Sequence, residues 1–289
     1  MKSNKRKLNS RKNVKLSYCL LIGSLIISII LIIISTILMF KWHNENNKTK
    51  EMVTNTVNDV KHKIIKDSKD TIIYNKQDIA KDNDYWDFIK MPLLSVDFEK
   101  LIKKNQDTVG WLQVNGTSIN YPIVQTNDNS YYLTHAFDKT QNSAGWLFAD
   151  YRNDFKKFDA NTIIYGHARL NNTMFGTLKK IINKSWQLDK DNQVILISTP
   201  AENTSWQVFS VYTIPVETYY LTTDFTDDDS YQQFLTTIKA RSVYSYDVPL
   251  NAIDKVLTLS TCKDNSNKTR IVLHAKLIKK QLRNVAQNN

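Results

Sequence analysis

The residue best suited to covalent chemistry in this 289-residue chain is Cys262. It ends a β-type stretch, and Arg270 opens a second such stretch eight residues later. The thiolate is the nucleophilic form of cysteine, and a neighbouring cation favours that form. The pattern therefore indicates an activated nucleophile at a strand end. A buried free cysteine that acts as a small hydrophobic residue is the alternative.

A cysteine nucleophile needs a proton partner, and His167 is the histidine whose position suits that task. It follows the strand-like run 162–165 and a glycine, so it stands at a strand end as Cys262 does. Two reactive side chains at the ends of rigid strands form a plausible catalytic pair. His43 and His62 lie in the juxtamembrane region and are expected to be solvated. His274 is expected to be structural or on an exposed strand face, and His135 lies in a predicted loop or short helix, where a functional role is the minor alternative.

A long uncharged stretch near the N-terminus, residues 16–40, predicts a membrane anchor. At about 1.5 Å per helical residue, this length spans a hydrocarbon core of about 30 Å. The seven cations and no acids before it predict a cytoplasmic N-terminus, with residue 41 onward outside the cell. A cleaved signal peptide is the alternative, but its apolar core is shorter.

The net charge of +11 is mostly a consequence of this topology. The cytoplasmic tail supplies +7 of it, which leaves +4 for the rest of the chain. The basic composition therefore does not indicate a nucleic-acid-binding protein. The second cysteine, Cys19, lies within the apolar stretch and is expected not to pair with Cys262. Without a disulfide framework, the exported part must be stabilised by a packed core.

Composition and hydrophobic patterning divide the chain into five parts. The apolar positions of the stalk recur at helical spacing, so it is expected to be partly helical, and a disordered tether is the alternative. The parts are a basic cytoplasmic tail (1–15), a transmembrane signal anchor (16–40), an extracellular stalk (41–76), a folded domain (77–280) and a C-terminal tail (281–289).

Short strand-like runs with turn signals dominate after residue 105 and predict a β-barrel or sandwich. Asn115-Gly116 lies between two such runs, 109–114 and 118–124, and is a strong hairpin signal. Pro122 is expected at an edge or a bulge. Further strands are predicted over 145–149, 161–165, 193–198, 205–212, 255–259 and 269–277. Helices are predicted over 77–91, 95–104, 174–182 and 227–241.

Several blocks of the sequence resemble a known family. The string 258–262 (TLSTC) followed by Arg270, together with the upstream Tyr-Gly-His ending at His167, is similar to sortases. Further blocks resemble class B sortases, and they are 109–112, 116–122, 128–133, 158–167 and 173–176. The resemblance covers about residues 85–280. It implies a mainly β fold: an eight-stranded barrel with N-terminal helices and a helical insertion before the last strand pair.

The resemblance also implies roles for particular residues. Cys262 would be the nucleophile, His167 the general acid and base, and Arg270 the group that stabilises the oxyanion. The groove that binds the sorting peptide would include Asn129, Leu133, Tyr220, Leu221, Ser260 and Thr261. Asp264 is expected to be a solvated loop carboxylate, with orientation of His167 as the alternative. No metal or other cofactor is expected.

The function implied is that of a membrane-anchored cysteine transpeptidase on the outer face of a Gram-positive cell. It would cleave a C-terminal sorting motif of the NPxTN or NPxTG kind after Thr, and pass the surface protein to a peptidoglycan amine. Three alternatives stay open at this point. They are a pilin-polymerising sortase with a lysine acceptor, a membrane-tethered cysteine protease, and a catalytically silent wall-binding scaffold.

Overall fold

A computed structural model describes residues 2–74, 83–262 and 269–283 of the chain, which divides into two compact units, 1–48 and 49–289. Helix α1 (Lys2–Asn58) contains the predicted anchor. Within the described ranges it is the one helix that is long and apolar enough to cross a membrane, with a mean hydropathy of 2.9 over its most apolar window. The predicted anchor therefore coincides with an apolar helix, while its orientation stays a prediction.

The second unit begins with short elements that precede the barrel. These are β1 (His62–Ile65), β2 (Thr71–Ile73), α2 (Tyr85–Lys90), β3 (Leu93–Val96) and α3 (Glu99–Lys104). Strands β1 and β3 pair with each other in antiparallel fashion. The predicted helix over 95–104 therefore begins four residues late, because its first residues belong to β3. Residues 77–82 of the other predicted helix lie outside the described ranges.

His62 shows how the polar N-terminal stretch joins the folded domain. Its ring packs edge-on against Trp111, with 4.6 Å between the ring centroids. Burial lowers the pKa of His62, against a hydrogen bond to Val60 that raises it. The expectation that His62 is solvated is therefore wrong. Residues 62–73 lie in the predicted stalk, yet β1 and β2 supply two strands to the second unit.

Eight strands close into a barrel, as predicted. They are β4 (Thr108–Val114), β5 (Asn120–Val124), β6 (Phe148–Ala149), β7 (Asn161–Gly166), β8 (Val194–Ser198), β9 (Glu202–Pro215), β10 (Val256–Cys262) and β11 (Thr269–Leu282). The order is β10-β7-β6-β5-β4-β8-β9-β11, and pairing of β11 with β10 closes it. The pairs β7–β10 and β5–β6 are parallel, and the others are antiparallel. Strand β2 pairs with β11 outside the barrel.

The hairpin β4–β5 forms where the sequence predicts it. Gly116 has a φ of 68°, a left-handed conformation that glycine adopts without steric cost. Pro122 is paired with Trp111 of β4, one position from a register shift between Thr108 and Gly110. By contrast, the predicted strand 145–149 is reduced to β6. Gly145, the first residue of the predicted strand, has a φ of 58° and belongs to a turn.

Helices cover the barrel and fill its connections. Helix α4 (Lys184–Leu188) follows the 3₁₀ helix Phe175–Ile182, which replaces the predicted helix over 174–182. Helix α5 (Asp228–Ala240) is the predicted insertion before the last strand pair, and a capping box between Asp227 and Ser230 begins it. Its buried residues are Tyr231, Phe234, Leu235 and Ile238. The remaining 3₁₀ helices are Tyr131–Leu133, Lys190–Gln193 and Tyr219–Leu221.

The core is dominated by aromatic and branched side chains. Trp111, Trp146 and Trp206 are each at most 1% exposed, and almost all of β9 is buried. A strand that is covered on both faces shows continuous burial in place of alternation. The predicted strand over 205–212 lies within this 14-residue strand, Glu202–Pro215. Such a core gives the rigid strands that carry the site.

Candidate active site

The register of three neighbouring strands brings the predicted catalytic residues to one end of the barrel. In the antiparallel pair β10–β11, the backbone of Cys262 lies opposite Arg270. In the parallel pair β7–β10, Thr261 lies opposite Gly166, the residue before His167. Neighbouring strands in a sheet lie about 4.8 Å apart. Residues that are 95 positions apart in the chain, 167 and 262, therefore become neighbours through β7 and β10.

The imidazole of His167 has a defined tautomer. Its Nε2 lies 2.8 Å from the backbone oxygen of Leu133, which can only accept, so Nε2–H donates this bond. Burial lowers the pKa of His167, and the cations of Arg169 and Arg270 lower it further, while the Leu133 bond acts in the opposite direction. The neutral imidazole is thus favoured, with Nδ1 as its basic nitrogen.

A cleft of about 340 Å³ lies next to these residues. His167 and Arg270 line it together with all six residues of the predicted peptide groove, Asn129, Leu133, Tyr220, Leu221, Ser260 and Thr261. Leu133 keeps 39% of its surface exposed, which suits a residue on the rim of a cleft. The structure thus brings together residues from five separate parts of the chain. Their roles toward a peptide stay predictions.

Side-chain hydrogen bonds join the 3₁₀ turn Tyr219–Leu221, on one side of the cleft, to strands β7 and β10 of the barrel. The hydroxyls of Tyr220 and Ser260 lie 2.9 Å apart, and both residues are buried. Asn161 on β7 donates to the backbone oxygens of Tyr220 and Thr222, at 3.1 and 2.9 Å. The 3₁₀ turn that carries Tyr220 and Leu221 is therefore fastened to the barrel at several points.

Tyr165 is a cleft residue that the sequence reasoning did not single out. It lines the cleft, and its hydroxyl donates to Oδ2 of Asp150 at 2.9 Å. The signal was available, because side chains alternate along a strand and Tyr165, near the end of β7, precedes His167 by two residues. Asp264 lies outside the described residues. Within 2–74, 83–262 and 269–283, no group of three His, Cys, Asp or Glu residues is arranged to hold a metal ion.

Known proteins are similar to this chain in sequence and in fold. A family model described as "Sortase domain" matches residues 112–278. Sortase B of Staphylococcus aureus is 40% identical over 184 residues, which are 63% of this chain and 75% of that protein. The solved Staphylococcus aureus sortase B–substrate complex has a TM-score of 0.59 and 40% identity, covering 63% of this chain and 84% of that chain. Sortase B from B. anthracis in complex with AAEK1 has a TM-score of 0.63 and 33% identity, covering 82% of this chain and 99% of that chain.

The closed eight-stranded barrel, with its cleft at the ends of β7, β10 and β11, agrees with these matches. The chain belongs to the sortase family, whose members are cysteine transpeptidases. More particularly, its relatives are sortase B proteins, so the resemblance to class B is confirmed, as is the prediction that the chain is an enzyme.

Proposed function

We propose that the chain cleaves a C-terminal sorting motif after Thr and transfers the new carboxyl end to an amine of peptidoglycan. The observation that carries this proposal is the strand register: Cys262 is paired with Arg270, and His167 follows the residue paired with Thr261. A nucleophile, a proton donor and a fixed cation beside a peptide-sized cleft are the groups that acyl transfer needs.

In the first half-reaction the thiolate of Cys262 attacks the carbonyl carbon of the Thr residue, and a carbon–sulfur bond forms. The carbonyl oxygen becomes an oxyanion, which the guanidinium of Arg270 stabilises. The carbon–nitrogen bond then breaks, and His167 gives its proton to the leaving amine. A thioester on Cys262 and a neutral His167 result, so atoms and charges balance.

In the second half-reaction an acceptor amine attacks the thioester carbon. Neutral His167 takes a proton from this amine, the new amide bond forms, and Cys262 leaves as a thiolate. Arg270 is suited to charge stabilisation and not to proton transfer, because a guanidinium stays protonated near neutral pH. The lowered pKa of His167 suits the second step, in which the imidazole must be neutral, and makes the protonated form of the first step the minor one.

The natural setting follows from the anchor and the family. Helix α1 would fix the enzyme in the membrane, with the cationic N-terminus inside and the cleft outside. The substrate would be a surface protein with a sorting signal of the NPxTN or NPxTG kind. The solved complex of Staphylococcus aureus sortase B with a substrate supports the proposal that this chain also binds a sortase substrate.

The test uses the full chain in mild detergent with quenched peptides that carry NPxTN, NPxTG, LPxTG or SPxTG cores. Cleavage after Thr is expected for one of the first two, with an added amine joined to the new carboxyl end in the mass spectrum. Cys262→Ala should abolish this reaction, and Cys19→Ala, which removes the other cysteine, should leave it intact.

The possible outcomes separate the alternatives. Water as the sole acceptor, even with amine present, would indicate a protease. A preference for a protein lysine would indicate a pilin-polymerising sortase. Turnover that persists in Cys262→Ala would overturn the nucleophile assignment. Failure of every peptide would favour the silent scaffold.

A further inference from the structure

We propose that Asp150 is a positioning residue that holds opposite sides of the cleft at one separation, an inference that rests on the proposed function. Asp150 directly follows β6, and its backbone N–H donates to Ile163 on β7 at 2.9 Å. The carboxylate is therefore fixed to the barrel wall. From there it bonds directly to Asn129 and Tyr165, and through Arg152 it is linked to Leu221.

The carboxylate of Asp150 accepts five hydrogen bonds. Its Oδ2 accepts from Nδ2 of Asn129 at 3.0 Å and from the hydroxyl of Tyr165 at 2.9 Å. Arg152 supplies the other three, from its backbone N–H, its Nε and its NH2 group, at 3.0, 2.8 and 2.8 Å. The same NH2 group also donates to the backbone oxygen of Leu221 at 3.0 Å. Asn129, Tyr165 and Leu221 all line the cleft.

These contacts connect two walls of the cleft. Asn129 belongs to the segment before the 3₁₀ turn Tyr131–Leu133, and Leu221 ends the 3₁₀ turn Tyr219–Leu221. One carboxylate and its arginine therefore add a direct link between two short segments about 90 positions apart in the chain. A peptide that fits between the turns is bound only at the width that this connection maintains.

The charge of Asp150 is stable in its buried position. The side chain is fully buried, whereas that of Arg152 is 37% exposed. Burial acts to raise the pKa of Asp150, but the hydrogen bonds and charge of Arg152 and the bond from Tyr165 outweigh it, so the pKa lies below its ordinary value. The carboxylate is thus ionised near neutral pH, and both oxygens act only as acceptors.

The informative variant is Asp150→Asn. Both carboxylate oxygens face donors, so the amide must direct its NH2 group at other donors in either orientation. Arg152 stays in contact with water, which reduces the cost of leaving it without its partner. The expected result is a rise in KM for the sorting peptide of about tenfold with kcat within about twofold, because substrate positioning is lost while the reacting groups are kept.

Glu202→Gln is the matched control. Glu202 is also a buried carboxylate, with a side chain 3% exposed, and it pairs with a partly exposed cation, Lys280, at 3.1 Å. It lies at the start of β9 and does not line the cleft. A general loss of stability affects both variants, whereas a rise in KM is expected only for Asp150→Asn. Equal kinetic effects in the two variants would overturn the proposal.

Hydrogen exchange of the full chain provides a readout that does not depend on turnover. Asp150→Asn should speed exchange of backbone amides in both 129–133 and 219–222, and Glu202→Gln in neither. Arg152→Lys keeps the charge but loses the fork that reaches Leu221, so it should speed exchange in 219–222 alone. This second variant also covers the case in which Asp150→Asn does not fold.

The two readouts separate the two proposals. Unchanged exchange in both segments of Asp150→Asn would overturn the positioning role, whether or not the enzyme turns over a peptide. If wild type cleaves no peptide while exchange responds as expected, the proposed function fails and the connection between the cleft walls stands.

Discussion

Protonation of His274 is expected to destabilise the fold at mildly acidic pH. The ring is fully buried on β11 and has two hydrogen-bond partners at 2.8 Å, the hydroxyl of Tyr212 at Nε2 and the hydroxyl of Thr258 at Nδ1. Thr258 donates its single hydrogen to Oδ1 of Asn161 at 2.6 Å. The amide orientation of Asn161 is set because its Nδ2 donates to two backbone oxygens.

These directions assign the proton on His274. Thr258 must accept from Nδ1–H, and Nε2 must therefore accept from Tyr212. A second proton on Nε2 would force the Tyr212 hydroxyl to turn and accept, so that its own hydrogen loses this acceptor. It would also place a cation in a fully buried position. The sequence predicted a structural or exposed-face role for His274, and its burial and hydrogen bonds agree with the structural one.

The magnitude follows from the pKa. Burial, with a smaller contribution from the cation of Arg241, lowers the pKa of His274 from its ordinary 6.5 to about 3. The unfolded chain therefore binds a proton at this residue as the pH falls below 6.5, while the folded chain does not. Each pH unit between these values costs about 1.4 kcal/mol of unfolding free energy. Between pH 6.5 and pH 5 the loss is about 2 kcal/mol.

Urea unfolding of the full chain in detergent, at pH 7 and pH 5, measures this loss. His274→Gln should be less stable at pH 7 but should lose about 2 kcal/mol less than wild type on going to pH 5. Burial also lowers the pKa of His167, but that contribution is common to both proteins. Val272→Ala, a buried neighbour without a titrating group, should lower stability and keep the wild-type loss. Equal pH-dependent losses in wild type and His274→Gln would refute the reasoning.

Three further predictions concern other parts of the domain. Gly166→Ala should lower kcat/KM and stability, because the added Cβ would lie 2.4 Å from the buried Leu147 and shift the strand end before His167; unchanged peptide turnover would contradict it. Asp227→Ala should cost about 1 kcal/mol of unfolding free energy in urea titrations, because it removes the cap of α5; a free energy equal to that of wild type would contradict it. Lys276→Met should cost about 3–5 kcal/mol by the same measurement, because it leaves Asp254, 3% exposed and 2.9 Å from Lys276, without its cation; a neutral effect would show that packing compensates.

Short sequence patterns predicted much of the barrel, because turns and helix starts depend on residues that are adjacent in the chain. The Asn-Gly turn of β4–β5 and the acidic start of α5 depend on the conformational preferences of a few adjacent residues. The element boundaries that were predicted wrongly depend on strand pairing with residues distant in the chain. Residues 95 and 96 form a strand because β1 pairs with them, and β9 is longer than predicted because β8 and β11 both pair with it.

The candidate site divides in the same way. Residue types and strand-end positions led to the prediction of Cys262, His167 and Arg270 as catalytic residues, because reactivity is a property of single side chains. The network around Asp150 had no such signal. Its members are ordinary polar residues that all bond to one carboxylate. Their spacing along the chain does not indicate that they are in contact in the folded protein.

The amino-acid sequence by itself determined the apolar segment, the hairpin signals, the kind of chemistry and the family, since these are properties of side chains and short runs. Only the tertiary structure decided which strands are neighbours, which tautomers His167 and His274 adopt, and how the cleft walls are held apart. The physical reason is that register, burial and hydrogen-bond partners arise when residues far apart in the chain are packed together.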